Sequence, residues 1–351
     1  MLISIVVPIY NVSCFIDRGI QQLLSLTYKE IEILLVDDGS TDASPAMIDR
    51  WASQYTFITA LHQKNAGAGI ARQNGVDHAM GDYLWFYDID DEIEPDLLER
   101  SLPYLDGELD ILQFGYDTWD SKFNIRENCR FLPMEAHSNE EVKERYSKYI
   151  FGQYHLNGFV WNKIYRVPFL RDNNIRFQNQ KLQQDEIFNL IAYKYVNNLR
   201  VIPDLLYHYF IYHKGNTRSF YIPHRLTIFQ EVRDNFLSLY RFWDLDDKVI
   251  LSYIYSRHIG NVIAALNFNL SKSVVIGRQD FLQAADNLSI QESMRQIHVL
   301  DTELSGFFKQ KYVKALESKS FSVYFIAFIF EKLLKSFKSF TRFVKSVFYR
   351  E

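Results

Sequence analysis

Cysteine is almost absent from this chain, and that excludes a class of architecture. Only Cys14 and Cys129 occur in 351 residues. They are too few for a disulfide framework and lack metal-ligand spacing, so the chain reads as a protein of a reducing compartment. An uninterrupted apolar run of bilayer-spanning length, roughly 18 residues or more, is also missing. The apolar stretch 322–330 is cut off by Glu331 and Lys332. The apolar start, 2–9, has neither a basic leader nor a small-residue cleavage site, and it holds Pro8; it reads as a first strand rather than a signal peptide. No internal repeat and no low-complexity linker is found. Nor is there a surplus of positive charge. The formal net charge is -4, and six basic residues crowd into the last twenty positions, leaving 33 basic against 42 acidic residues before them. An acidic body excludes duplex nucleic acid as a partner.

What remains is the composition of a folded protein, 48% hydrophobic and 23% charged, in a chain long enough for about two compact units. The first hundred residues alternate strand and helix patterns, which predicts an α/β fold with a parallel sheet built from crossover units. Strands are expected at 2–9, 31–36, 57–62 and 83–87, with helices at 15–26, from Asp42 or Ser44 to about Gln54, and at 70–79. Pro45 suits the first position of the second helix. A further strand is expected from Glu108 to about Gln113, and a helix over 138–151; residues 180–197 and 224–315 read as mainly helical. The expected organisation is a catalytic α/β domain over 1–220, a helical region over 221–318 and an amphipathic basic tail over 319–351.

In open parallel sheets ligands bind beyond the carboxyl ends of the strands. Those ends carry Tyr10 and Asn11, then Asp37 and Asp38, then Asp88-Ile89-Asp90-Asp91. Carboxylates alternating as in Asp88-x-Asp90 suit one ribose hydroxyl and one hard divalent cation, although an isolated pair fits a solvated acidic turn equally well. Asp38 has the same two readings, as a turn residue or as an acceptor for an imide N–H of a base. Arg72 suits a diphosphate or a surface ion pair.

Taken together, four motifs in this order resemble the family 2 glycosyltransferases of GT-A fold, particularly the bacterial enzymes that build cell-surface polysaccharides. They are Val6-Val7-Pro8-Ile9-Tyr10-Asn11, Val36-Asp37-Asp38-Gly39-Ser40-Thr41-Asp42, Asn65-Ala66-Gly67 with Ala71-Arg72-Gln73-Asn74-Gly75, and Tyr87-Asp88-Ile89-Asp90-Asp91. The resemblance implies a mixed, mainly parallel sheet flanked by helices, with a mainly helical C-terminal region. It also implies inverting transfer of a sugar from a nucleotide diphosphate donor, UDP-sugar favoured, to a glycan or lipid-linked acceptor. Pro8, Tyr10 and Asn11 would border the base and Asp38 bind it. Asn65 and Arg72 would serve the nucleotide, Asp88 would touch the ribose, and Asp90 would hold Mn2+ or Mg2+. Two later stretches, Trp161-Asn162-Lys163-Ile164-Tyr165-Arg166 and Gln184-Asp185-Glu186-Ile187-Phe188-Asn189, extend the likeness to about residue 220.

The family usually places Glu-Asp before x-x-Phe; here Gln184 stands in place of the glutamate and Asp185 keeps the register. Asp185 is thereby the expected general base. Glu186 falls about 100° further around a helix and reads as a surface residue. Lys163, His213 and Arg218 are candidates for phosphate or acceptor contacts and equally for surface charges, and 213–219 is polar enough to form a closing lid. Two rival readings stand beside the transferase. A sugar nucleotidyltransferase would carry a glycine-rich, arginine-containing loop after the first strand, where this chain has Tyr10-Asn11-Val12-Ser13. A non-catalytic scaffold subunit would need none of Asp88, Asp90 and Asp185.

Plotted at 100° per residue, Leu333, Leu334, Phe337, Phe340, Phe343, Val344, Val347 and Phe348 occupy one half of a helical wheel, and Lys332, Lys335, Lys338, Arg342, Lys345 and Arg350 the other. Such a helix fits the interface of an anionic leaflet, which places the chain in the cytoplasm on the inner face of the membrane. An ordinary packing face on the protein is the competing reading.

Overall fold

The computed structural model describes residues 1–120, 125–151, 158–180, 182–212, 224–300 and 307–348, with side chains described as far as residue 335. Two compact units separate. One comprises Met1–Phe220 with Arg241–Asp244, and the other Tyr221–Tyr240 with Leu245–Glu351.

The first unit is built on a ten-stranded sheet. Its strands are β1 (Ile3–Ile9), β2 (Ile31–Asp37), β3 (Ile58–His62), β4 (Tyr83–Phe86), β5 (Glu92–Ile93), β6 (Ile111–Asp120), β7 (Ile125–Cys129), β8 (Met134–Ala136), β9 (Lys163–Arg166) and β10 (Leu199–Ile211). The helices among them are α1 (Ser13–Ser25), α2 (Ser44–Gln54), α3 (Ala68–His78), α4 (Leu97–Ser101), α5 (Asn139–Ile150), α6 (Val167–Asp172) and α7 (Gln184–Ala192). Strand order is β3-β2-β1-β4-β9-β6-β10-β5. The first four run parallel, whereas β9 lies antiparallel between β4 and β6. β1 and β2 are apolar along nearly their whole length because both sheet faces are covered. β1, flanked by β2 and β4, is the point where the chain order reverses, and in open sheets ligands bind beyond the C-terminal end of such a strand.

The expected parallel half is found, with the elements displaced by a residue or two at their ends. The other half differs from expectation. β6 begins at Ile111 rather than near 108 and runs on to Asp120. Asp110 marks its start by accepting the backbone N–H groups of Asn197 and Asn198 and the Arg166 guanidinium. β10 was not expected, because Pro203 and Asp204 interrupt its alternation. The strand absorbs them as bulges between Val201 and Leu205 and between Leu205 and Tyr207.

The second unit is helical among the described residues, with α8 (Arg225–Phe242), α9 (Lys248–Lys272), α10 (Val274–Asp286), α11 (Leu288–Val299), α12 (Phe307–Glu317) and α13 (Phe321–Phe348). Asp247, Ser273 and Asn287 cap α9, α10 and α11 with their side chains. α9 is long and apolar enough to cross a membrane by length and composition, and half of its most apolar window is buried within the protein. The apolar stretch 322–330 and the basic tail, read separately in the sequence, form the single helix α13.

A close approach fixes the layer over β1. A Cβ on Gly75 of α3 would lie 2.3 Å from Val6 Cγ1. Gly75→Ala gains helix propensity of about 1 kcal/mol but drives a methyl group into Val6 of the central strand β1, an overpacking cost of about 1–3 kcal/mol. The urea midpoint should therefore fall; an unchanged or higher midpoint would mean that Val6 rotates away without strain.

Candidate active site

The rim is stitched together by its own loops. Asn11, at the left-handed φ of 51°, accepts the Thr41 N–H on Oδ1 at 2.7 Å and donates its own N–H to Ser40 Oγ at 3.0 Å. These bonds tie the end of β1 to the end of β2. Asp38, 2% exposed, accepts Gln63 Nε2 and the N–H groups of Ala66 and Gly67, all at 2.8 Å. The carboxylate expected to meet the base thus also anchors the β3–α3 loop, and a further donor must use one of its remaining lone pairs. Pro8 is half-buried in β1, while Tyr10, 50% exposed, and Asn65 face outward at this corner.

The Asp88–Asp91 loop is held from two sides. Tyr207 in β10 donates its O–H to Asp91 Oδ2 at 2.7 Å, the Phe210 N–H reaches Asp91 Oδ1 at 2.8 Å, and Tyr207 Oη accepts the Asp88 N–H. Arg18 from α1 and Tyr212 both donate to the Asp90 carbonyl. Gly19 of α1 lets that helix approach, since a Cβ there would lie 2.4 Å from Ile89. Burial beside Asp88 and Asp90 pushes the Asp91 carboxyl well above its usual range; its role is internal. Asp90 is different. Burial, then the Asp88 charge, raises it to about 6 against the pull of Arg18 and Arg72, and among the described residues the side-chain donors that reach Asp90 bond its carbonyl rather than its carboxyl.

That pattern bears on a metal. No group of three or more His, Cys, Asp or Glu among the described residues could enclose an ion. Mg2+ and Mn2+ sites that serve diphosphates take one or two carboxylates and complete the shell with water and phosphate oxygens. Asp90, an acid of raised pKa whose carboxyl is in no ion pair among the described residues, fits such a shared site.

Asp185 opens α7, after Gln183 at φ 56°. Two neighbours in its motif aim the helix. Phe188 stacks on Phe177 with centroids 4.2 Å apart and meets Phe86 and Tyr165 edge-on. Asn189 donates to the carbonyls of Gly158 and Phe159 and accepts the Tyr165 O–H at 2.7 Å. Asp185 is thereby turned toward Arg72, whose Nη1 lies 2.7 Å from Asp185 Oδ1 while its Nη2 lies 2.7 Å from Asp88 Oδ1. Burial raises Asp185 to about 6 against the downward pull of Arg72. Arg72 is itself buried, so neither a surface ion pair nor an outward-facing cation describes it. Glu186, expected at the surface, is half-buried and receives Gln183 Nε2 at 3.3 Å.

Lys163 is not a surface charge. It is fully buried in β9, donating from Nζ to the Phe159 carbonyl and Asn162 Oδ1, and burial lowers it to about 7 while Asp185 draws it upward. His213, Arg218 and the expected lid over 213–219 lie outside the described residues. Sequence reasoning passed over Tyr207, Arg18 and the internal role of Asp91. Asp91 was visible as the third acid of its motif, but Tyr207 and Arg18 belong to no motif.

A mixed, mostly parallel sheet flanked by helices, with Tyr10, Asp38, Asp88 and Asp90 just beyond the carboxyl ends of its strands, is the architecture of the GT-A fold. Residues 4–170, just under half of the chain, match the family model described as glycosyl transferase family 2. EpsH of Bacillus subtilis is 30% identical over 213 residues, 60% of this chain and 61% of EpsH, so the match spans about six tenths of that relative. A poly(ribitol-phosphate) beta-glucosyltransferase of Bacillus spizizenii is 27% identical over 88% of this chain and 46% of its own length. The crystal structure of S. aureus TarS 1-349 superposes with a TM-score of 0.59 at 20% identity, over 95% of this chain and 92% of that one.

Tyr207→Phe keeps the ring and removes the donor to Asp91, which costs about 1–3 kcal/mol for a buried acceptor left short. The urea midpoint should drop and the Asp88–Asp91 loop loosen. A variant as stable as the parent would show that Phe210 and water suffice to hold Asp91.

Proposed function

We propose that this protein is an inverting, metal-dependent glycosyltransferase. It moves a sugar from a nucleotide diphosphate donor, a UDP-sugar by preference, to a hydroxyl of a glycan or lipid-linked acceptor in surface polysaccharide synthesis. One observation carries the reading: a carboxylate of raised basicity, Asp185, stands one guanidinium away from Asp88 on the donor rim. Asp185, ionised at neutral pH yet more basic than an ordinary aspartate, takes the proton of the attacking hydroxyl as the new bond forms at the anomeric carbon. The nucleotide diphosphate departs from the opposite face. Asp88 receives the ribose and Asp90 the cation; the chemistry a bound Mn2+ or Mg2+ supplies is charge for the departing diphosphate. S. aureus TarS crystallised with UDP-GlcNAc supports UDP, and the name of the B. spizizenii relative supports a hydroxyl-bearing polymer as acceptor.

The test is nucleotide diphosphate release from UDP-, GDP- and dTDP-sugars, with manganese, magnesium or chelator. Metal-dependent release from one donor is expected, lost in Asp90→Asn; Asp185→Asn should keep nucleotide binding and lose transfer by several orders of magnitude. Silence across the panel with nucleotide still bound, and near-normal turnover of Asp185→Asn, each count against the reading. The working form of both acids is ionised, and both sit near 6. Activity should therefore rise with pH through about 6 and fall about tenfold per unit below it for each group required. Raising the metal concentration displaces the proton on Asp90 and leaves the Asp185 limb unchanged. An acid limb near pH 4 would place both carboxyls in ordinary surroundings.

We also propose that α13 rests on an anionic leaflet at the cytoplasmic face of the membrane. Supporting this, Val323, Ile326, Phe330, Leu333 and Leu334 are 44–61% exposed on one side of α13, while Tyr324, Ala327 and Phe328 on the other side are buried. In sequence the exposed stripe continues through Phe337, Phe340, Val344 and Val347, with Lys and Arg opposite. Truncation before α13 would strip Tyr324 from the core, so the clean test is Ile326→Glu with Phe330→Glu and Leu333→Glu. These should abolish flotation with anionic vesicles and leave the melting temperature in place; continued flotation would put the membrane contact elsewhere.

A further inference from the structure

One guanidinium serves two acids that the proposed reaction uses for different purposes. Arg72 is 4% exposed, and its Nε is buried with no hydrogen-bond partner, so its binding capacity is concentrated in the two Nη groups. One of these holds Asp185, 113 residues away in sequence, and the other holds Asp88, 16 residues away. The side chains of the two acids keep 21% and 25% of their surface open, so ligands reach both. The helix that carries Arg72 packs closely on both sides: a Cβ on Gly75 would strike Val6, and one on Gly69 would lie 3.0 Å from Gln184, the residue before Asp185.

We propose that Arg72 is a positioning residue that couples occupancy of the donor site to the readiness of Asp185. This rests on the glycosyltransferase reading. Without donor, Nη1–H occupies Asp185 Oδ1, and the positive charge beside the carboxylate holds its basicity down. The phosphate oxygens of a nucleotide diphosphate on the Asp88 side accept from the guanidinium and draw it toward themselves. Asp185 then loses part of its counter-charge and becomes more basic. The other charges facing it are Lys163 from β9, Asp88 from the end of β4 and Glu186 on its own helix; none of these bonds both acids. Coupling of this kind is reciprocal. Removing the Asp185 charge must release Arg72 to the donor side and tighten nucleotide binding, although Asp185 itself touches no nucleotide.

The experiment is titration calorimetry of UDP, with manganese present, on the full chain. Asp185→Asn is expected to tighten UDP by about 5-fold or more, the lower end of measured couplings. In Arg72→Lys, whose point charge reaches one carboxylate at a time, the same substitution should change affinity less than 2-fold. Equal tightening in both backgrounds would mean simple relief of repulsion through space and overturn the proposal, as would no tightening in either. In turnover, the acid limb of kcat, which reports the donor complex, should lie at higher pH than that of kcat/KM, which reports the free enzyme; in Arg72→Lys the two should coincide. Should Arg72→Lys fail to fold, Arg72→Gln, which has no charge to hand over, serves as the second background with the same two outcomes. UDP binding without transfer would remove the enzymatic reading and leave the coupling standing, whereas a failure of UDP to bind would overturn both.

Discussion

Burying Arg72 between Asp88 and Asp185 sets one positive charge among acids in a space that water barely reaches, and the neighbouring elements are arranged to keep it paired. Leaving such a charge without a partner costs about 3–5 kcal/mol, a large share of the 5–15 kcal/mol that typically separates folded from unfolded domains. The consequences run outward from that requirement. α3 must lie close over β1, which Gly75 permits, and α7 must present its first turn to α3, which Gly69 permits. Phe188 and Asn189 then hold α7 at that angle. Residues that look like a catalytic signature in the chain divide, in space, into one acid that faces the rim and two neighbours that aim it.

A second column of contacts carries the Asp88–Asp91 loop. Trp161 stacks on Tyr207 at 4.4 Å, and its carbonyl accepts the Trp85 indole N–H. Tyr207 in turn bonds Asp91. The aromatic column joins β4, β9 and β10 beneath the loop, so the orientation of Asp88 and Asp90 is set by rings that would never contact a ligand. Loops carried on rigid packing of this kind lose little freedom when a charged ligand arrives.

The parallel half of the sheet was legible because its strands are short apolar runs punctuated by turn residues, and because acids sit just past their ends. Asp185 was legible through the phenylalanine three residues beyond it. What could not be read was partnership. Arg72 looked like a diphosphate contact or a surface pair because its two acids lie 113 and 16 residues away, and no periodicity links such positions. Lys163 looked like a surface charge because lysine is almost never fully buried, and its burial follows from β9 entering the sheet between β4 and β6. Tyr207 escaped notice for a related reason: its strand carries Pro203 and Asp204, which disguise it as a loop.

That disguise has a consequence for how the chain can change over time. Between the pairing of Leu199 with Ile111 and that of Tyr207 with Tyr116, β10 gains three residues on β6. Side chains alternate along a strand, so an odd surplus reverses which face each following residue shows. Gly115 leaves room for the extra backbone, since a Cβ there would meet the Pro203 and Asp204 carbonyls at 3.1 and 3.0 Å. Insertions and deletions, which surface loops absorb, would here act as an inversion: losing one residue would leave the ladder paired but swing Tyr207 away from Asp91. The irregular stretch of β10 is therefore a counting device, and its length is under tighter constraint than its sequence.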